Sequence, residues 1–263
     1  MSRVLLAGES WSTTSIHTKG LDSFITSLYE EGAADFIAAL EEAGHEVTFQ
    51  PSHIAADRFP YSVEELAAYD VVVLSDIGAN TLLVPKATFV GGRTVPNRLR
   101  SLAEWVDGGG ALLMVGGYLS FQGIEGKANY RATPLADVLP VLMEIGDDRQ
   151  ETPEGSAAHV TQSGHPVMRG LPEPWPRILG YQRLQARVGT QVLATVGDHP
   201  LLVVGTYGAG RVAAFATDMG PHWLPRKFVE WPGYARLWQQ LTAWLAQPQN
   251  QTTSGSDVAD RND

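Results

Sequence analysis

Three short apolar runs constrain the fold of this chain more than any other feature. They are RVLLAG at Arg3–Gly8, VVVL at 71–74 and ALLMV at Ala111–Val115. Each is too short for a core helix and is cut off by glycine or a small polar residue. Continuous apolar runs of this length suit strands buried on both faces of a parallel sheet. Residues 46–49 read as a further strand. Between the runs the apolar spacing turns helical. Phe24, Ile25 and Leu28, then Phe36, Ile37 and Leu40, predict a helix from Leu21, split at Gly32 and ended at Gly44. Ser62 and Glu65 form a capping box that opens a short helix. Pro96 suits a first helical position, with Leu99, Leu102, Ala103 and Val106 on one face before Gly108. Strand alternating with helix predicts a sheet with helices on both faces.

The second half reads differently. A short helix is expected near Leu135, with strand-like pieces at 181–186 and 191–195. Residues 201–206 and 211–217 flank Tyr-Gly-Ala-Gly, a hairpin with a glycine turn. From Tyr234, a helix places Leu237, Trp238, Leu241, Trp244 and Leu245 on one stripe. The polar residues 9–20 read as a long loop. There is no internal repeat and no strong linker, so residues 1–246 read as one domain. The polar residues 247–263 lack an apolar anchor and are expected to be disordered.

Acidic residues number 29 against 19 basic ones, for a net charge of −10 with no basic stripe. That argues against nucleic acid or an anionic membrane surface as partner. No apolar run spans a bilayer and the first residues lack a signal-peptide pattern, so a cytoplasmic protein is expected. The sequence has no cysteine, which removes disulfides, thiolate metal sites and cysteine nucleophiles together.

In open parallel sheets, ligands bind beyond the carboxyl ends of the strands. This rule gathers four loops: Glu9-Ser10-Trp11, Ser75-Asp76-Ile77, Gly116-Gly117-Tyr118 and the loop from Thr217 to Trp223, which carries Asp218 and His222. Together they make a polar pocket with an aromatic rim. His222 suits a general base or a ligand-binding donor, and equally a loop histidine stacked on Trp223. Asp218 either orients it or caps the next turn. Gly116 and Gly117 suit either an oxyanion-type backbone site or a bare tight turn. Glu9, Ser10 and Trp11 suit recognition of a polar, sugar-like ligand, and equally simple loop closure. Ser120 has no local base to activate it. His17 would complete a metal site only with His222 and a carboxylate, and no ligand spacing supports one. No cofactor is implied.

The stretches GGGALLMVGGYLSFQGIEGKANY and PLLVVGTYGAGRVAAFATDMGPHW resemble the class I glutamine amidotransferase-like superfamily, in a bacterial group of uncharacterised members. The resemblance covers most of residues 1–246. It implies a flavodoxin-like three-layer α/β sandwich, with a mostly parallel central sheet and a C-terminal β-hairpin extension. Active members hydrolyse glutamine with a Cys-His-Glu triad whose cysteine stands on a nucleophile elbow. Carried onto this sequence, the elbow falls at Gly116–Tyr118, without a thiol. The late-strand histidine falls at His222, in Asp-Met-Gly-Pro-His-Trp rather than His-Pro-Glu, and the glutamate has no counterpart. Thiolate glutaminase chemistry is therefore excluded.

Three readings remain. The chain binds a small polar metabolite without turnover. Or it hydrolyses a carbohydrate-like or amide substrate, with His222 as base and Glu9 or Asp76 assisting. Or it is a non-catalytic assembly subunit, associating as a homo-oligomer through the aromatic cluster of Trp223, Trp231 and Tyr234.

Overall fold

The computed structural model describes residues 1–247. The expected tail therefore lies, beyond its first residue, outside the described residues. The expected buried runs form β1 (Arg3–Gly8), β5 (Val71–Ser75) and β6 (Ala111–Val115), preceded by β4 (Glu46–Gln50) at the edge. With β9 (Ala158–Val160), β12 (Gln191–Val196), β13 (His199–Tyr207) and β14 (Gly210–Phe215), they build one eight-stranded sheet among the described residues. Its order is β4-β1-β5-β6-β14-β13-β12-β9. The first five strands run parallel, and the hairpin β13–β14 turns the sheet antiparallel beyond them. That hairpin is the expected one, but it extends the central sheet itself.

Crossover direction explains the layers. The chain leaves β1 through α1 (Ala34–Glu42) towards β4, then returns across β1 to β5 through α2 (Ser52–Arg58) and α3 (Val63–Leu66). It continues in that direction to β6 through α4 (Ala79–Leu83), α5 (Lys86–Phe89) and α6 (Arg98–Asp107). Right-handed crossovers in opposite directions put their helices on opposite faces. So α1 packs with α9 (Tyr234–Leu245) on one face, and α2, α4 and α6 pack together on the other. Trp238 of α9 is fully buried, edge-on to both Phe36 and Phe215. The result is a flavodoxin-like sandwich.

The reversal of strand order falls between β1 and β5, which is where such sheets open a crevice. Register levels the strand tips there. Gly8 stands opposite Ser75, Ser75 opposite Val115, and Val115 opposite Phe215. The residues that follow are therefore brought to one edge. Short elements connect the sheet to its later strands: α7 (Leu135–Val138), β7 (Val141–Met143), β8 (Arg149–Ser156), β10 (Ile178–Gln182), β11 (Leu184–Ala186) and α8 (Arg226–Val229).

Two expectations fail. Residues 9–20 are not a loop, and the helix does not begin at Leu21. They form β2 (Ser10–Lys19) and β3 (Asp22–Glu31), an antiparallel hairpin that pairs only with itself. The segment whose Ser/Thr content suggested a loop includes Thr13, Thr14, Ile16 and Thr18, β-branched residues that favour extended backbone. The spacing of Phe24, Ile25 and Leu28 fits a helix stripe, but these side chains face cross-strand neighbours instead, His17 stacking on Phe24 at 4.6 Å. Only the stripe of Phe36 and Leu40 belongs to a helix, and both are fully buried. A smaller correction concerns Pro96, which precedes the cap: Asn97 is the N-cap and accepts from the Leu99 and Arg100 amides. Trp223, Trp231 and Tyr234, expected as a contact surface, are buried in the core.

Candidate functional site

A pocket of about 490 Å³ opens at the carboxyl ends of the parallel strands, lined among others by Glu9, Trp11, Asp76, Tyr118, Asp218 and His222. Glu9 and Asp76 stand at the tips of the two strands that flank the order reversal. Both have left-handed backbones, with φ of 46° and 43°. Non-glycine residues seldom adopt this region, and such strain gathers at functional sites. It is held in place on both sides. The Glu9 amide donates to the Ser75 carbonyl at 2.8 Å, and Gly8 leaves no room for a side chain, since a Cβ there would meet the same carbonyl.

Each carboxyl has a defined partner. Ser75 Oγ donates to Glu9 Oε2 at 2.5 Å. The Leu119 amide donates to Asp76 Oδ1 at 2.6 Å, and the Asp76 amide donates back to Ser120 Oγ at 3.0 Å. Ser120 thus supports the site and is buried, not presented as a nucleophile. Asp218 Oδ2 accepts from the Trp223 amide at 2.8 Å and pairs with His222 Nδ1 at 2.7 Å. Asp218 therefore does both things expected of it: it caps the turn and orients the imidazole.

Burial in this crevice pushes the Glu9 carboxyl up to about 8, helped by the neighbouring Asp218 and Asp76 charges and opposed by the Ser75 hydrogen bond. Burial also pushes Asp76 up to about 6. His222 is raised above its ordinary value, chiefly by its hydrogen bond to Asp218. Glu9 thus keeps its proton well above the ordinary carboxylate range, in the same pocket as a histidine whose hydrogen bond to Asp218 favours its charged form. Buried titratable groups with raised pKa values gathered in one crevice mark a candidate site for acid–base chemistry.

The imidazole is also framed by aromatics. It lies edge-on to Tyr118 at 4.7 Å and stacks on Trp223 at 5.7 Å. Glu151 of β8 ties the two together, accepting from Trp223 Nε1 at 2.9 Å and from the Tyr118 hydroxyl at 3.1 Å. The Arg149 guanidinium covers the Tyr118 ring. Glu151 lies far from the strand-tip motifs in sequence, and its strand alternates polar residues without an apolar face. Nothing in the sequence pointed to it.

The elbow is built differently from a nucleophile's seat. Gly116 donates its amide to the carbonyls of Phe215 and Thr217, so that N–H is committed to the backbone. Gly117 has φ of +132°, and a Cβ there would lie 3.0 Å from Asp76 and 3.1 Å from Asp218 Oδ1. The Gly117 carbonyl accepts from Gln182 Nε2 at 2.5 Å. Two carboxyls thus occupy the space above the turn.

Of the residues expected at the site, Glu9, Trp11, Asp76, Tyr118, Asp218 and His222 come together around the pocket. Ser10, Gly116, Gly117 and Trp223 stand behind its wall. Ser10 Oγ accepts from the Ser52 amide at 2.8 Å, anchoring α2. His17 lies along the β2–β3 hairpin, bonded to Thr26 at 3.0 Å. Among the described residues, no cluster of three or more histidine and acidic side chains has the geometry of a metal site. Gly220 and Pro221 of the expected loop also line the pocket, together with Gly32, Leu119 and Ile124, an apolar contribution from outside the four expected loops.

A family model described as "Putative glutamine amidotransferase" matches residues 3–247. The chain belongs to this glutamine amidotransferase-like family. Two solved structures of this fold are 46% identical to the chain at a TM-score of 0.90. One is a cytoplasmic protein from Salmonella typhimurium, covering 94% of this chain and 99% of its own. The other is a cytoplasmic protein from Salmonella typhimurium LT2, covering 93% and 100%. A β-galactosidase from Rahnella sp. R3 shares the fold alone, at 19% identity and a TM-score of 0.52, over 82% of this chain and 27% of its own. No curated protein matches. Among the described residues, no helix of this amidotransferase-like chain is long and apolar enough to cross a membrane.

Proposed function

We propose that this amidotransferase-like protein binds a small polar metabolite in the strand-end pocket and has no thiol-dependent glutaminase step. The observation that carries this reading is the composition of the lining. Its ionisable side chains are Glu9, Asp76, Asp218, His222 and Tyr118, with no lysine or arginine among them. A phosphate or carboxylate would meet this wall at a cost, whereas a neutral polyol, an amide or an amine would find acceptors and a protonated carboxyl. Trp11 and Tyr118 offer ring faces to an apolar side of the ligand. By analogy with its cytoplasmic relatives, the protein acts in the cytoplasm.

The Asp218–His222 pair beside protonated Glu9 favours a second reading on the same site, a hydrolase of carbohydrate-like or amide substrates. There His222 would take a proton from water or a substrate hydroxyl. Glu9 would donate one to the leaving group, and Asp218 would hold the imidazole and balance its charge. The two readings share a binding mode and differ only in turnover.

Calorimetric titration with neutral polyols, amides, amines, carboxylates and phosphates tests the proposal. Neutral or cationic compounds are expected to bind, and His222→Ala is expected to weaken them. Preferential binding of phosphates or carboxylates would overturn it. Product formation with any binder decides between the two readings.

A further inference from the structure

The β2–β3 hairpin stands apart from the rest of the molecule. Every residue of both strands is exposed except Ser10 at the root. Its two strands pair only with each other, so both outer edges carry unpaired backbone groups. Anchoring is confined to the root, where Ser10 bonds Ser52 and Tyr29 lies edge-on to His53 at 5.3 Å. A lone two-stranded hairpin is at best marginally stable in water. Yet this one carries a concentration of exposed apolar side chains, including Leu21, Ile16, Ile25 and Leu28 at 105%, 72%, 66% and 58% exposure.

The register sorts these side chains onto two faces. Trp11, Leu28, His17 and Phe24 share one face; Tyr29, Ile16 and Ile25 share the other. Neither face is covered by the chain's own core. Isolated exposed apolar residues are normal, but a run along both faces of one projecting element marks a contact surface.

Charge narrows the partner. The chain carries −10, so two copies repel except where charge is absent. Residues 12–18 and 23–29 contain no lysine, arginine, aspartate or glutamate. Charged residues sit only at the root, Glu30 and Glu31, and at the tip, Lys19 and Asp22. Exposed edges are ordinarily blunted by charge or proline, and the middle of this arm has neither. An uncharged, partly apolar stripe is what a contact between two like-charged molecules requires.

Size fits as well. Ten-residue strands extend roughly 33 Å, and a two-stranded ribbon about 10 Å wide engaged on both faces buries roughly 600 Å² of its own surface. Reciprocal docking of two arms, with the receiving surface counted, then exceeds the roughly 1,600 Å² of a standard stable interface. Isologous pairing uses one surface twice and needs no other specialised patch.

We infer that the β2–β3 hairpin is an association arm that seats on a second copy of this chain, which returns its own arm in exchange. Trp11 belongs both to the arm's Leu28–Phe24 face and to the pocket wall, so the partner docks at the pocket's rim. The inference rests on the arm and stands whether or not the pocket reading holds.

Sedimentation velocity of the full chain at micromolar concentration, beside Ile25→Asp and Phe24→Asp, tests it. The wild type is expected to sediment as a dimer or a higher closed assembly, and the variants as monomers that keep a cooperative melt. A monomeric wild type would overturn the inference, as would an assembly that survives both substitutions. If the variants do not fold, hydrogen exchange of the wild type decides. Protection of amides in residues 12–29 that rises with protein concentration supports the arm; protection independent of concentration overturns it.

Discussion

Asp218 and His222 lie four residues apart, and their side chains meet at 2.7 Å because the Trp223 amide pins the same carboxylate oxygen at 2.8 Å. The turn after β14 thus fixes the carboxylate first, and the imidazole adjusts to it. His222 is about half exposed while Asp218 is almost wholly buried, so of the two it is the imidazole that is open to the pocket.

Removing the charge from Asp218 therefore has a distinct signature. Asp218→Asn keeps an oxygen for the Trp223 amide but ends the charge-assisted bond to His222. The His222 pKa is expected to fall, because that bond is the main cause of its elevation. Titrating the imidazole resonances by NMR in the two proteins reads this directly. An unchanged pKa would mean that Asp218 does not set the histidine's protonation.

Glu9 makes a prediction about pH and stability. Its folded pKa of about 8 lies above its ordinary value of 4.5, so the folded state binds the extra proton between them. Stability then falls as pH rises through that window, by an amount on the order of a few kcal/mol. Asp76 and His222, also raised, act with the same sign. Glu9→Gln keeps an acceptor for Ser75 Oγ and has no proton to lose. Urea unfolding from pH 5 to pH 9 is expected to show a flatter decline in Glu9→Gln, with the variant the more stable protein at pH 9. Parallel declines would show that Glu9 titrates normally.

Arg98 ties α2 to α4 on one face of the sheet. It is fully buried, and its guanidinium donates to the carbonyls of Ala55, Ala56 and Phe59 at the end of α2 and of Thr81 and Leu82 in α4. Burial lowers its pKa, and the Tyr61 ring lies 4.7 Å from the cation. Arg98→Met fills much of the same volume but strands those carbonyls. A loss of roughly 3–5 kcal/mol in urea unfolding is expected. Arg98→Lys should recover only part of it, since an ammonium cannot reproduce the planar fork.

The parallel core was legible because burial on both faces leaves no choice of residue. VVVL and ALLMV are too short for a core helix and are bounded by glycine or a small polar residue, which decided for strand; the register that levels Gly8, Ser75 and Val115 came only with the structure. The place of the pocket was legible from topology: such sheets open a crevice beyond their strand ends, and Glu9, Asp76 and the loop carrying Asp218 and His222 follow strand ends. The arm was not legible. Its apolar residues at 24, 25 and 28 obey helical spacing, and only the partner strand across Gly20 turns them into an exposed ribbon. Helix and strand patterns over so few residues differ by what they pack against, which a local reading does not contain. Glu151 was hidden because its role is set by a strand pairing, β8 with β10, that carries no apolar periodicity.

The elbow carries the last prediction. Placing a thiol within the elbow at Gly116–Tyr118, as Gly117→Cys, is the simplest attempt to supply the missing nucleophile. The geometry predicts that it fails. The backbone at φ of +132° disfavours any side chain, and the new Cβ would press on Asp76 and on Asp218 Oδ1. Two carboxyls at that distance also oppose a thiolate, raising the thiol's pKa when catalysis needs it lowered. Gly117→Cys is expected to lose roughly 2–4 kcal/mol of stability. It should release no ammonia from glutamine above the wild-type background. Measurable glutaminase turnover in a folded Gly117→Cys would show that the pocket is only a thiol short of the family's chemistry and that the two carboxyls leave room for it.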